Sequence, residues 1–325
     1  MGIIVDGVWH GGDDKQIGAA GWEPRHEAFS GYVRAMSAGN QPEFPAEAGR
    51  YHLILCPGCP MSHRVAMVYR MKNLRNAIST SLVRPVMGQH GREFGSALHA
   101  SPDSVSGYNY LYQLYLASDH YYSGRASTPV LWDKQSKKIV SNTYRDILTM
   151  LNKEFGDFTD SQLDFQPPER MAEIDEQLAR LGAGFTGVVY RCGFSRDQKN
   201  YEEYAALLGR TIPQLEQQLA NQPFLLGGHI TEPDLVLFAS LVRYDAIYLP
   251  LFKCTAQRIE DSTVLTAYIK RMLQIPGVAE TFDLALTMTH YYVSHAHINP
   301  TRIVPMVPKL SWHTLATQAA PGARA

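Results

Sequence analysis

The stretch YHLILCPGCPMSHRVAMVYRMKNL, residues 51–74, decides the fold of the first part of this chain. It opens with a short apolar run that ends at Cys-Pro-Gly, the pattern of a buried strand. From Ser62 onward the apolar residues recur at helical spacing. The stretch therefore predicts a strand, a turn and a helix in direct succession, with two cysteines in the turn.

The segments that follow complete one type of domain. A second β-rich run lies at residues 78–86, a pair of strands is predicted at 127–133 and 137–142, and a helix is predicted over 143–155. This order, βαβ followed by ββα, is that of an α/β thioredoxin-like fold. We assign it to residues 49–160, and we interpret residues 1–48, rich in Gly, Pro and polar residues, as an irregular N-terminal lead-in.

The pattern changes near residue 168 to long amphipathic segments, which predict an all-α C-terminal domain over 168–310, followed by a C-terminal tail, 311–325. One helix start is encoded locally at Thr231-Glu232-Pro233-Asp234. A threonine N-cap, a proline just inside the helix and an acidic residue three positions after the cap are all present.

The composition excludes several classes of partner. The formal net charge of the 325 residues is -1 with both signs interspersed, so the chain has no basic field for nucleic acid or for an anionic membrane surface. The N-terminus carries no recognisable leader and no apolar run approaches a membrane span, so we expect a soluble, cytoplasmic protein. Four cysteines, two of them three residues apart, indicate thiol chemistry in preference to a disulfide scaffold.

Proline chemistry favours Cys59 over Cys56 as the reactive thiol. If Cys56 capped the helix, Pro60 would occupy the fourth helical position, where a backbone N–H is needed. If Cys59 is the N-cap, Pro60 occupies the first position, which suits its fixed φ and its missing N–H. A thiol at a helix N-terminus faces unpaired N–H groups and the positive end of the helix dipole, which stabilise a thiolate.

Other roles for this turn stay open. Cys56 and Cys59 form either a structural turn or a Cys-x-x-Cys redox pair in which Cys56 resolves an intermediate. Arg64 adds positive charge near the helix start. His63 lies on the same helix face as Cys59, where it either packs in the core or assists the reaction.

The residues GRYHLILCPGCPMSHR (49–64) resemble the active-site segment of the glutathionyl-hydroquinone reductases, the xi class of glutathione transferases, whose pattern ends Cys-Pro-Trp-Ala-His-Arg. The resemblance continues through STPVLWD, VVYRCGF (188–194) and HYYVSHAHINPTRIVP (290–305), and it extends from about residue 49 to 308. It implies the glutathione transferase fold and a homodimer. It also implies a reductase that uses glutathione to cleave a thioether of an aromatic, quinol-type compound.

The resemblance assigns roles residue by residue. Cys59 takes the place of the nucleophile, which forms a mixed disulfide with glutathione. Thr128-Pro129-Val130 matches the cis-proline turn whose backbone pairs with the thiol tripeptide. Tyr190 and Tyr291 match tyrosines that face the aromatic substrate, where a phenol donates a hydrogen bond to a quinol oxygen.

The departures from the family pattern cluster in the thiol-binding part. Thr143-Tyr144 stands where the family has a Glu-Ser pair that holds the γ-glutamyl end of glutathione. Arg92 stands in place of a tryptophan, where it offers either a carboxylate contact or a solvated loop charge. Glutathione or another low-molecular-weight thiol is therefore the expected co-substrate. The alternatives are a biosynthetic enzyme that makes or breaks a C–S bond with a different thiol, and a noncatalytic protein that binds thiol conjugates.

Metal and nucleotide cofactors are not indicated. His290, His295 and His297 are close in sequence but lack a cysteine or carboxylate at ligand spacing, so we expect no metal site. The chain has no Gly-x-Gly-x-x-Gly opening a helix and no P-loop.

Overall fold

The computed structural model describes residues 2–11, 29–37, 39, 41–97 and 100–318. Residues 12–28, 38 and 40 of the predicted lead-in and residues 319–325 of the predicted tail lie outside these residues. The chain divides into two compact units, Met1–Gln162 and Leu163–Ala325. The strands are β1 (Ile3–Val5), β2 (Val8–His10), β3 (Val33–Arg34), β4 (Phe44–Pro45), β5 (Tyr51–Leu55), β6 (Ser79–Leu82), β7 (Val130–Asp133) and β8 (Lys138–Ser141).

The helices of the first unit are α1 (Pro60–Met71), α2 (Leu111–Ser118) and α3 (Tyr144–Lys153). The helices of the second unit are α4 (Met171–Leu181), α5 (Val188–Phe194), α6 (Gln198–Ala220), α7 (Glu232–Arg243), α8 (Thr263–Gln274), α9 (Leu284–Ser294) and α10 (His313–Gln318). Short 3₁₀ turns lie at Leu74–Asn76, Gly156–Phe158, Pro168–Arg170 and Ala279–Thr281.

A four-stranded sheet of order β6-β5-β7-β8 organises the first unit. Strand β5 is parallel to β6 and antiparallel to β7, and β7 is antiparallel to β8. Because β5 has neighbours on both sides and is buried throughout, its sequence is a continuous apolar run instead of an alternating one. The predicted strand-helix-strand and strand-strand-helix order is confirmed.

Several short elements of the first unit were not predicted. Strands β1 to β4 occupy the lead-in that we expected to be irregular, and Ile4 of β1 lies in the buried core of the unit. Helix α2 lies between β6 and β7, in a segment to which we assigned no secondary structure, and it packs against β8. Described residues of the lead-in, Ile4, Trp9 and Phe29, therefore pack in the core around the two cysteines.

The second unit is built from helices, as predicted. All residues of α7 are buried, and the predicted cap at its start is present. The carboxylate of Asp234 accepts hydrogen bonds from the backbone N–H of Thr231 at 2.9 Å and from the Thr231 hydroxyl at 3.0 Å. Capping by local side chains satisfies donors that the helix itself leaves unpaired.

Two π-helical turns interrupt the helices of the second unit. Gly182–Thr186 lies between α4 and α5, and Tyr244–Tyr248 continues α7. A π turn adds one residue relative to an α turn, and such turns are frequent at functional sites. One of these turns leads into the helix that carries Tyr190, and the other ends at Tyr248.

Candidate active site

Cys59 is the N-cap of α1, as the proline argument predicts. It has extended backbone angles of φ -76° and ψ 126°, Pro60 follows at the start of the helix, and the Cys59 carbonyl accepts the His63 N–H at 3.0 Å. The thiol is largely buried, with 9% of the residue exposed. Its sulfur donates a hydrogen bond to the backbone carbonyl of Thr128 at 3.6 Å.

Sheet pairing brings the Thr128 carbonyl to this cysteine. Ile54, near the end of β5, pairs with Val130, the first residue of β7. The turn after β5 therefore lies beside the turn before β7. The Thr128–Pro129 peptide bond is cis, in agreement with the resemblance. The arrangement places a thiol next to the backbone carbonyl that precedes the cis proline.

Cys56 lies deeper than Cys59, with 1% of the residue exposed. Its sulfur accepts a hydrogen bond from the Arg92 guanidinium at 2.8 Å, and the backbone N–H groups of Gly58 and Cys59 lie on the turn beside it. Burial raises the pKa of the Cys56 thiol, and Arg92 with the two N–H groups acts in the opposite direction. Arg92 therefore hydrogen-bonds to the Cys56 sulfur, a contact that the sequence did not predict.

The other predicted thiol-binding residues lie at the starts of α1 and α3. Thr143 is the N-cap of α3, and its backbone N–H donates to Ser141 Oγ at 3.1 Å. The Arg64 guanidinium lies over the ring of Tyr144, 4.8 Å from its centroid, a cation–π contact. His63 is buried on α1. Positions 143 and 144 therefore carry a hydroxyl and an aromatic ring, with the ring beneath Arg64, and neither carries a carboxylate.

Two buried polar atoms near this turn have no hydrogen-bond partner in the part of the chain that the structure describes. They are Thr128 Oγ1 and Arg64 Nε. Buried polar atoms normally have partners, because desolvating them without one costs about 1–3 kcal/mol each. A hydroxyl oxygen and one guanidinium nitrogen are thus left available to a polar ligand.

In the second unit, the structure brings Tyr190 of α5 and Tyr291 of α9 together. Their hydroxyl oxygens are 2.6 Å apart, and each lies 3.4 Å from the hydroxyl of Tyr248. We call these residues the tyrosine cluster. Burial raises the pKa of Tyr190 and of Tyr291 well above the ordinary value, so both remain neutral phenols at physiological pH.

Tyr248 is the member of the tyrosine cluster that sequence analysis missed. It is fully buried and ends the π-helical turn Tyr244–Tyr248. The only sequence signal was its position at the end of the segment FLLGGHITEPDLVLFASLVRYDAIY, which resembles the family. The exposure of the three residues differs: Tyr190 is partly exposed, whereas Tyr248 and Tyr291 are not.

Histidines near the tyrosine cluster pack among aromatic rings. The ring of His295 stacks on Tyr291 with centroids 5.6 Å apart, and His297 lies against Phe194 at 5.3 Å. Within the described residues, no group of three His, Cys, Asp or Glu side chains is arranged to hold a metal ion. Over the same residues, none of the helices combines the length and the apolar character needed to cross a bilayer.

Comparison with known proteins agrees with this arrangement. Residues 198–271 match the family model described as glutathione S-transferase, C-terminal domain. Over 308 residues, 95% of this chain and 96% of the relative, the chain is 39% identical to glutathionyl-hydroquinone reductase PcpF of Sphingobium chlorophenolicum. The chain belongs to the glutathionyl-hydroquinone reductase family. It is therefore a glutathione transferase-like enzyme, and the predicted class is confirmed.

Solved structures of this family share the whole fold. The glutathione-bound structure of YqjG, a glutathione transferase homologue from Escherichia coli K-12, is 35% identical with a TM-score of 0.87, covering 96% of this chain and 97% of that one. The xi-class glutathione transferase of Natrialba magadii is 31% identical with a TM-score of 0.88, covering 98% of both chains. The predicted glutathione transferase fold is confirmed. The roles of the individual residues stay predictions.

Proposed function

We propose that the chain is a glutathionyl-hydroquinone reductase in activity, with Cys59 as the nucleophile. The observation that carries the proposal is the placement of the Cys59 thiol at the N-terminus of α1, within hydrogen-bond reach of the Thr128 carbonyl beside the cis proline. A relative that covers nearly the whole chain is named for this activity. Helix N-terminal thiols form thiolates readily, and the thiolate is the attacking species.

The chemistry proceeds in two steps. The Cys59 thiolate attacks the sulfur of the glutathionyl-hydroquinone, the C–S bond breaks, an S–S bond forms, and the aryl carbon takes a proton to give the free hydroquinone. A second glutathione thiolate then attacks the mixed disulfide, which releases glutathione disulfide and restores Cys59. No metal or nucleotide enters this sequence of steps.

The tyrosine cluster supplies hydrogen-bond donors for a quinol oxygen. Tyr190 is the member that a ligand reaches, because it is the partly exposed one. Tyr291 and Tyr248 lie behind it within hydrogen-bond distance and orient its hydroxyl. Since the Tyr190 phenol is neutral, its proton remains available for a hydrogen bond to an oxygen on which negative charge develops.

The co-substrate is glutathione or a close thiol analogue. Arg64 Nε and Thr128 Oγ1, both without a partner among the described residues, fit a peptide-like thiol. The residues at 143 and 144 supply no carboxylate for the ligand's ammonium group. This departure supports a second candidate, a C–S bond reaction that uses another low-molecular-weight thiol through the same Cys59.

We further propose that the enzyme acts in the cytoplasm as a homodimer. All four cysteines are free in the structure, as suits a compartment in which low-molecular-weight thiols keep cysteines reduced. Light scattering on the purified chain tests the dimer, with a monomeric mass as the result that overturns it.

Replacement of one sulfur tests the mechanism. Cys59→Ser should lower release of hydroquinone from a glutathionyl-hydroquinone by roughly a thousandfold or more, because a hydroxyl does not replace the thiolate. Cys254→Ser is the matched control, since Cys254 is a buried thiol of the second unit that takes no part in the proposed steps.

Hydroquinone release is followed by chromatography, and circular dichroism verifies folding of both variants. Substantial turnover by Cys59→Ser would overturn the assigned nucleophile. Tight binding of the conjugate by the unmodified chain, without any turnover, would instead favour the noncatalytic binding protein.

A further inference from the structure

The sulfur of Cys56 is surrounded by hydrogen-bond donors. Arg92 Nη1 donates to it at 2.8 Å, and the N–H groups of Gly58 and Cys59 on the turn act with Arg92 to favour its thiolate. The proposed reaction as described above makes no use of this arrangement. We infer that Cys56 is a resolving thiol, which attacks the glutathionylated Cys59 and closes an internal Cys56–Cys59 disulfide. The inference rests on the proposed function of Cys59.

The turn geometry brings the two cysteines within bridging range. The Cys59 N–H donates to the Cys56 carbonyl at 3.0 Å, which closes a four-residue turn. Turns of this kind hold their end Cα atoms within about 7 Å, the upper range of disulfide-bonded cysteines. Pro57 and Gly58 form the centre of the turn, and Pro60 fixes the start of α1 immediately after it. The pair therefore needs little backbone movement to close.

The donors around Cys56 assist both directions of the exchange. When Cys56 attacks, Arg92 and the two N–H groups stabilise the thiolate that burial disfavours. When an external thiol reduces the disulfide, it reaches Cys59 more easily, because 9% of Cys59 is exposed and 1% of Cys56. Cys56 is then the leaving thiolate, and the same donors stabilise it as it departs.

The exchange balances without any unnamed reactant. The Cys56 thiolate attacks Cys59 Sγ of the mixed disulfide, the bond to glutathione breaks, and glutathione leaves as a thiolate that takes the proton Cys56 lost. Two further glutathione molecules reduce the Cys56–Cys59 disulfide: the first forms a mixed disulfide at Cys59, and the second releases glutathione disulfide. The net consumption of glutathione equals that of the direct route.

Arg92 is a positioning residue in this inference, since it acts through Cys56. Its aliphatic replacement Arg92→Met removes the charge and keeps the length of the side chain. We expect closure of the internal disulfide to slow by roughly tenfold or more, the usual effect of losing a charge-assisted hydrogen bond. Arg92→Lys should restore part of the rate, and a purely structural role for Arg92 would not produce this selective rescue.

The experiment uses glutathione disulfide as the probe and intact-mass analysis with peptide mapping as the readout. The reduced chain should pass through a transient glutathione adduct on Cys59 and accumulate the Cys56–Cys59 disulfide. In Cys56→Ser the Cys59 adduct should persist, because serine keeps the hydrogen bonds but cannot resolve it. Cys56→Ala serves as a second variant without the hydroxyl.

The outcomes separate this inference from the proposed function. A stable Cys59 adduct in the wild-type chain, with no internal disulfide, overturns the resolving role and leaves Cys59 as the nucleophile. Formation of the internal disulfide in a chain that does not cleave glutathionyl-hydroquinone supports the resolving role and counts against the proposed function. Absence of any adduct or disulfide at residue 59 overturns both.

Discussion

The three hydroxyls of the tyrosine cluster lie within hydrogen-bond distance of one another, and in each pair either oxygen can be the donor. Tyr190 and Tyr291 are closest, at 2.6 Å between their oxygens, and Tyr248 lies 3.4 Å from both. A phenol whose oxygen already accepts a hydrogen bond becomes a better donor of its own proton, because hydrogen bonds in a chain polarise one another. Tyr291 therefore strengthens the bond that Tyr190 donates to a ligand oxygen.

Tyr190→Phe should lower kcat/KM for a glutathionyl-hydroquinone by roughly 10²-fold, the usual effect of removing one donor to a developing oxyanion. Tyr291→Phe should lower it by roughly tenfold, because it acts through Tyr190. The double variant should be no slower than Tyr190→Phe. Steady-state kinetics check this order, and a fully additive double variant would contradict it.

Tyr292→Phe is the matched control for this series. Its hydroxyl donates to the Ala246 carbonyl at 3.1 Å, outside the tyrosine cluster, and its neighbour Tyr291 lies inside the cluster. Its kinetics should stay close to those of the wild-type enzyme, whereas a loss as large as that of Tyr291→Phe would indicate a general packing defect.

The sequence could assign a role to a residue where its immediate neighbours in the chain restrict the local structure. Pro60 excludes Cys56 as the cap of α1 because proline lacks an N–H, and this argument needs only neighbouring residues. The contact between Arg92 and Cys56 joins residues 36 positions apart and depends on the path of a loop, so no local pattern encodes it. Tyr248 was missed because the resemblance alone assigned Tyr190 and Tyr291, and spacing does not distinguish a third buried tyrosine from an ordinary core aromatic.

At the scale of elements, the pairing of β5 with β6 depends on a buried histidine. The two ring nitrogens of His52 lie 2.7 Å from Ser79 Oγ and 2.8 Å from Ser81 Oγ, both on β6. Burial lowers the pKa of His52 to about 4, despite the opposing field of Asp103. The neutral ring is therefore the form that the folded sheet accommodates.

This histidine should make the chain less stable in mild acid. Between the ordinary histidine pKa near 6.5 and the folded value of about 4, the unfolded chain binds a proton that the folded chain does not. The contribution of the neutral His52 ring to the free energy of unfolding is complete above pH 6.5. About 3 kcal/mol of the free energy of unfolding is lost as the pH falls to 4. Urea unfolding across this range should show a shallower pH dependence for His52→Gln than for the wild-type chain.

Measurements at pH 8, where the ring is neutral in both states, give the constant offset caused by the substitution itself. Subtracting that offset isolates the proton-linked part of the difference. Identical slopes for the two proteins below pH 6.5 would show that His52 does not control the acid stability of the sheet.

The start of α7 offers a second test at this scale. Asp234 accepts four hydrogen bonds: two from Thr231, one from the Leu225 N–H at 2.8 Å and one from the Tyr268 hydroxyl at 3.1 Å. Asp234→Ala should lower the free energy of unfolding by about 3 kcal/mol, since it leaves several buried donors without an acceptor.

Asp283→Ala is the matched control for Asp234→Ala. Asp283 is an exposed N-cap whose carboxylate accepts the Leu286 N–H at the start of α9, so its loss should cost about 1 kcal/mol. Denaturant titration compares the two variants, and equal losses would mean that burial of the Asp234 network contributes nothing.

The elements that the sequence predicted are mostly longer than those that it missed. The sheet strands and the long helices carry a hydrophobic period or a continuous apolar run, which a sequence displays directly. Strands β1 to β4 have two or three residues each, too few to show a period. Helix α2 spans two turns and is apolar on most of its surface, so it shows no contrast between faces.

At the scale of the whole molecule, the chain keeps the family fold but differs from the family at residues proposed to bind the thiol co-substrate. The position of the proposed nucleophile, Cys59, and the cis proline match the family resemblance, and the departures from it lie at Arg92 and at Thr143-Tyr144. Fold and thiol preference are separable because a ligand contact at a helix start contributes little to the packed core.

Restoring the family residues should therefore change affinity without changing the fold. The double variant Thr143→Glu, Tyr144→Ser should lower the KM for glutathione by roughly tenfold, because a carboxylate regains a charge-assisted hydrogen bond to the ligand's ammonium group. Measuring the KM of the double variant for glutathione and for a thiol that lacks the γ-glutamyl amine tests whether the gain depends on the ammonium group. An equal gain for both thiols would contradict the assignment of residue 143 to the ammonium.

The two π-helical turns also bear on insertions and deletions in this chain. Each α-helical residue turns the chain by about 100°, so the extra residue of a π turn rotates everything that follows by that angle. Excising Ala246 would convert Tyr244–Tyr248 to ordinary α geometry and swing the aromatic side chain after it away from its phenolic neighbours. The number of residues in the Tyr244–Tyr248 turn, as much as their identity, therefore determines which side chains come together. Related proteins that differ by one residue in this turn would place different side chains against their ligands.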